Sequence, residues 1–111
     1  MKDLVQIHRY DLSYYSGSER DRGRYRASIG LRDEKGRLVG AAYFHPDAAV
    51  ASPPALRTES GVVILNYPIS LYMHVLDMLR HERPVFLRFK DGDPPAGSID
   101  TSAEPVGEGS G

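Results

Sequence analysis

Four arginines, a tyrosine and a histidine recur at even spacing between positions 24 and 45, and that spacing defines the first chemistry open to this chain. Side chains alternate across a strand, so Arg24, Arg26 and Arg32 share one face of a first strand, and Arg37, Tyr43 and His45 share one face of a second. Between them, Asp33-Glu34-Lys35-Gly36 reads as a four-residue turn, with Gly36 in the left-handed conformation, pairing Arg32 with Arg37 and Gly30 with Val39. Tyr25, Ala27, Ile29 and Leu31 then face a core opposite Phe44, Ala42, Gly40 and Leu38. The six arginine, tyrosine and histidine side chains face outward. Guanidinium groups neutralise phosphates and stack on bases, and aromatic rings give sequence-tolerant platforms for single strands. The expectation is a non-enzymatic binding module that takes single-stranded nucleic acid on this basic, aromatic face.

The histidines offer other chemistries. Ser70, His74, Asp77 and His81 stand at i, i+4, i+7 and i+11, a narrow stripe on one side of a helix. His74, Asp77 and His81 are of the types that hold zinc or manganese, and Ser, His and Asp are the types of a hydrolytic triad. The same stripe is what the solvent face of an amphipathic helix looks like, and it is read as that, with no metal, no cofactor and no catalytic residue assigned. His8 and His45 could act as general acid and base on a phosphodiester if their strands paired. A small hydrolytic enzyme using histidines is therefore one alternative function, and a protein–protein interaction module is another. No cysteine is present, which excludes disulfides, thiolate metal sites and cysteine nucleophiles. No phosphate loop, dinucleotide fingerprint or nucleophile elbow occurs.

These residues must be positioned by a small set of elements. At 111 residues with 41% hydrophobic composition, the chain supports one core. All the lysines and arginines lie within residues 1–90, whereas residues 91–111 hold five acids and no base. The expected organisation is one domain over residues 1–91 and an acidic, Gly/Pro/Ser-rich disordered tail over 92–111, too poor in large apolar residues to offset the entropy of ordering it. The tail is read as a solubilising segment, with shielding of the basic face as its functional alternative. No apolar run is long enough for a signal peptide or membrane helix, which suggests a soluble, cytoplasmic protein.

A first strand begins at residue 4 and extends to about 14 with a bulge, because Val5 and Ile7 share one parity and Tyr10, Leu12 and Tyr14 the other. The hairpin follows, then a proline-rich connection from Pro46. Residues 61–65 form an apolar strand covered on both faces or nearly so. A helix starts at Pro68, capped by Asn66 or Tyr67, and stops at about 81 or 82, before Arg83-Pro84. A last strand over 84–90 turns Val85, Leu87 and Phe89 inward. The fold class is thus α+β, an antiparallel sheet of four to five strands in the order β-β-β-β-α-β with one long helix packed on it. Gly30 and Gly40, inside strands, mark curvature that lets the helix approach. The apolar arc of that helix spans about 220°, more than one sheet needs. The excess predicts a homodimer, with Leu71, Val75 and Met78 at its interface.

Four strands followed by a helix over residues 4–82 resembles the arrangement in the single-strand-binding transcriptional coactivator and Pur/Whirly group. That resemblance implies dimerisation and nucleic-acid binding on a curved sheet. It is one of arrangement: no family motif matches residue by residue, and the strand after the helix departs from the pattern.

Overall fold

The computed structural model describes residues 4–16, 25–46 and 55–102. They form an α+β fold with eight strands and one helix: β1 Leu4–Ile7, β2 Arg9–Tyr14, β3 Ala27–Arg32, β4 Leu38–His45, β5 Ala55–Arg57, β6 Val63–Pro68, α1 Tyr72–His81, β7 Val85–Lys90 and β8 Ala96–Thr101. The strands make two sheets rather than one. Five are ordered β2-β3-β4-β6-β5 and three are ordered β1-β7-β8. All pairings are antiparallel except β4 with β6, which run parallel from Gly40 opposite Val63 to His45 opposite Pro68.

The parity change near residue 8 has a larger cause than a bulge. Leu4–Ile7 pairs with β7 in the small sheet, and Arg9–Tyr14 pairs with β3 in the large one. The chain crosses between sheets at His8, whose backbone N–H donates to the Arg32 carbonyl at 2.8 Å. Val5 and Ile7 turn toward the small sheet's side of the core and Tyr10 toward the large sheet's, while Leu12 and Tyr14 stay 46% and 64% exposed. Val5 and Ile7 lie opposite Leu87 and Val85, while Tyr10 lies opposite Leu31.

From Ala27 to Leu31 and from Gly40 to Phe44 the hairpin keeps its expected faces but not its expected register, and Leu38, expected in the core, is 42% exposed beside the turn. Asp33 and Arg37 face each other, the Asp33 N–H donating to the Arg37 carbonyl at 3.0 Å, so the loop holds three residues and ends on Gly36 at φ +80°. Such a loop ends with a residue in the left-handed region. A bulge follows, because Arg32 pairs with Leu38 but Leu31 with Gly40, leaving Val39 extra. The two one-residue offsets cancel in parity, and Ala27, Ile29, Leu31, Ala42 and Phe44 are buried as anticipated.

The two sheets close on each other over a single core. A Cβ on Gly40 would come within 2.7 Å of Leu87, and one on Gly97 within 2.6 Å of Leu65 and 2.9 Å of Ala55. These glycines allow the second sheet, rather than the helix, to approach. Phe44 is fully buried, stacked on Tyr67 at 5.5 Å and meeting Tyr72 edge-on at 5.0 Å.

The helix is short. A 3₁₀ turn, Ile69–Leu71, leads into ten α-helical residues ending at His81, and neither has a side-chain cap. Neither Asn66 nor Tyr67 is the cap, since the 3₁₀ turn begins after Pro68 and the α-helix after Leu71, and the Asn66 carbonyl oxygen accepts from His45 Nε2 at 2.8 Å. The expected disorder from residue 92 does not extend through Ala96–Thr101. Here Ile99 enters the core opposite Leu87, and Asp100 pairs with Arg88 at 2.6 Å. One large apolar residue suffices there because β7 supplies a ready edge and Gly97 lets the strand sit close. Residues 103–111 lie outside the described residues.

Candidate nucleic-acid interface

The outward positions of the hairpin gather at two ends of the large sheet. Ser28, Gly30, Arg32, Tyr43 and His45 are all half-buried, alternating with fully buried neighbours. Along β3 the Arg32 end and the Ala27 end are roughly 17 Å apart at about 3.3 Å per residue.

At the turn end, the arginines carry their own counterions. Arg32 donates from Nε to Asp11 Oδ2 at 2.8 Å and from a terminal nitrogen to the Gly36 carbonyl at 3.1 Å. Arg37 donates from Nε to Asp33 Oδ2 at 2.9 Å. Asp33 is the buried charged residue among those described, and its Oδ1 accepts the backbone N–H groups of Lys35 and Arg37, each at 2.9 Å. The Arg37 N–H first, then the Arg37 guanidinium and the Lys35 N–H, hold its carboxyl below the usual range against the opposing effect of burial. This end is an electrostatically closed turn.

At the other end the rings collect. Tyr25 packs on Tyr43 with ring centres 4.5 Å apart, on Tyr15 at 5.4 Å and on His45 at 6.2 Å. The Tyr15 hydroxyl lies 3.3 Å from Ser28 Oγ, and His45 is fixed by Asn66. Tyr25 was expected in the core. It precedes β3, which begins at Ala27, so strict alternation does not reach it. The Arg26 N–H instead donates to the Phe44 carbonyl at 2.6 Å, and Tyr25 packs on the outer face against Tyr43. Tyr15, Tyr25 and Asn66 are thus additions to the site that sequence reasoning missed. The signal was present as two tyrosines bracketing a polar loop, one just after the first strand pattern and one just before the hairpin. Arg24 lies outside the described residues.

The other candidate groups are dispersed. His8 lies at the Arg32 end and His45 at the Phe44 end, so the pair proposed for acid–base work does not meet, because the first strand pairs with β3 and not β4. Ser70, His74, Asp77 and His81 are all exposed, and no cluster of three metal-ligating side chains occurs among the described residues. Of the residues expected at a dimer interface, Val75 is buried in its own chain, Met78 packs against the core, and Leu71 is exposed. The wide apolar arc of the helix segment is met largely within one chain, where Ile69, Tyr72, Val75, Met78 and Leu79 all adjoin the core. No helix among the described residues is long and apolar enough to cross a membrane.

No family model, curated protein or solved structure matches this chain. The two-sheet arrangement with its parallel β4–β6 pair also departs from the single curved sheet that the strand order had suggested.

Proposed function

We propose that this protein is a non-enzymatic binding module that takes single-stranded nucleic acid on the aromatic end of its large sheet. The observation that carries the reading is the run of four adjoining rings, Tyr15, Tyr25, Tyr43 and His45, on a half-exposed sheet face. Bases stack on such rings without regard to sequence, at about 1–3 kcal/mol per base. Arg26 follows Tyr25 at that end of the sheet. Because Arg32 and Arg37 are already paired, the electrostatic share is modest, and stacking supplies most of the affinity.

Fluorescence anisotropy of short labelled DNA and RNA strands at two salt concentrations tests this. Tyr43→Ala should weaken binding about tenfold, in line with the loss of one stacked base. The slope of log affinity against log salt should correspond to about one or two phosphates. Arg37→Gln should leave the slope nearly unchanged. Removing residues 103–111, with Glu104 and Glu108, should tighten binding; truncating at 92 would delete β8 and test folding instead. No binding by the full chain at low salt sinks the reading.

The same reading includes a homodimer, now resting on Leu71 and Met73, which are 39% and 55% exposed. Leu71→Glu should lower the mass seen in sedimentation equilibrium, and a wild-type monomer at high concentration would remove the dimer from the proposal.

A further inference from the structure

A second concave site lies away from the aromatic end, where the β1–β2 crossing meets the end of α1. This cleft has a volume of about 520 Å³, within the range of sites that hold one small molecule. Ile7, Leu79, Pro84 and Val85 give it an apolar lining. Its polar lining includes His8, Arg80, His81 and Arg83, with Glu82 as the acid.

The two arginines of the cleft differ from three others in the molecule. Arg32, Arg37 and Arg88 are each held by a carboxylate at 2.6–2.9 Å. Among the described residues, Arg80 and Arg83 are held by none. Arg80 and His81 sit in the last turn of the helix, where a cation complements the negative end of the dipole. That accounts for two of the four basic groups. Arg83 and His8 come from outside the helix, on separate segments, and converge on the same opening.

We propose that this cleft binds a small organic anion, an apolar body with a carboxylate or phosphate at one end. The body lies on Leu79 and Pro84, with Ile7 and Val85 buried beneath them, and the anionic group meets Arg80 and Arg83, with His8 and His81 as further donors. A bare inorganic anion would leave the apolar lining unused, and an uncharged ring would leave the arginines unpaired.

Nuclear magnetic resonance titration of the full chain tests this, with phenyl phosphate, benzoate, inorganic phosphate and benzyl alcohol as probes. Phenyl phosphate or benzoate should move the amide signals of residues 6–10 and 79–85 saturably, and which of the two binds more tightly identifies the anionic group. Inorganic phosphate and benzyl alcohol should each bind about tenfold or more weaker, the loss of one component of recognition. Arg80→Gln with Arg83→Gln, both at exposed positions, should weaken phenyl phosphate by about tenfold or more while the remaining signals stay in place. Tyr43→Ala should leave binding in the cleft intact, separating it from the nucleic-acid site. The proposal is overturned if neither organic anion moves those signals, if benzyl alcohol binds as tightly, or if the folded double variant binds unchanged.

Discussion

On its inner face the large sheet carries Ile29, Leu31, Phe44 and Leu65, all essentially inaccessible, while one position along, its outer face carries Ser28, Arg32, Tyr43 and His45, all half-exposed. Each face also holds a glycine beneath a side chain. On the inner face a Cβ at Gly40 would meet Leu87 at 2.7 Å, and on the outer face a Cβ at Gly30 would meet the Asp11 carboxylate at 2.6 Å. The distances are alike, but the obstacles are not. Leu87 is 2% exposed and wedged between sheets, whereas the Asp11 side chain is 58% exposed and is the free end of a surface pair. What separates the faces is how far a neighbour can yield, more than how near it lies.

The sharpest test of this contrast is Phe44→Ala, which removes a fully buried ring that contacts Tyr67 and Tyr72. Denaturant unfolding should show a loss of about 3–5 kcal/mol. Tyr43→Ala, its neighbour on the other face, should lose far less, and equal losses would break the comparison. Next come the two glycines. Gly40→Ala should cost about 1–3 kcal/mol, because Leu87 must leave its packed position. Gly30→Ala should cost under about 1 kcal/mol, since Asp11 can swing aside and the unfolded chain loses entropy. In an Asp11→Ala background the Gly30 penalty should disappear, as a double-mutant cycle would reveal.

The smallest effect is electrostatic. Asp33 and Asp100 both have carboxyls held below the ordinary value of 3.8, Asp33 chiefly by the Arg37 N–H and Asp100 by the Arg88 side chain. A depressed folded value stabilises the protein above the ordinary one, and that contribution is lost as the pH falls through the folded value. Unfolding midpoints followed downward past pH 3.8 should therefore drop. Asp33→Asn should be less stable at neutral pH and show a shallower drop.

Much of this was legible in local pattern. The inner faces of the hairpin and of β7, the Gly36 turn and the stop of the helix before Arg83-Pro84 all follow from alternation and from the backbone limits of glycine and proline. What was not legible depended on partners distant in sequence. The parity switch after Ile7 was visible, but a bulge and a change of sheet leave the same trace. Composition hid β8, since its order comes from the edge of β7 and from the close approach at Gly97. At the site, Tyr43 and His45 were readable from alternation. Tyr25 was not, because alternation stops at Ala27. Nor could spacing show that Arg32 and Arg37 would each find a carboxylate. Asp11 reaches Arg32 across a strand pair, and Asp33 serves Arg37 because the loop is one residue tighter than expected.

The pairing of β1 with β7, which sets Leu4 opposite Arg88, also governs how the chain meets the ribosome. At about 5–20 residues per second, roughly 4–17 s separate synthesis of the two partners. Through that interval Val5 and Ile7 have no strand to join. The large sheet, complete in sequence by residue 68, gains the helix next, but the contacts of Gly40 with Leu87 and of Leu65 with Gly97 wait for β7 and β8. Closing so long a loop carries an entropic cost that only the finished core offsets. The core is therefore complete only with residues 96–101, and a nascent chain halted just before them should leave the Ile99 side of that core open, which limited proteolysis of a chain ending at residue 95 would show.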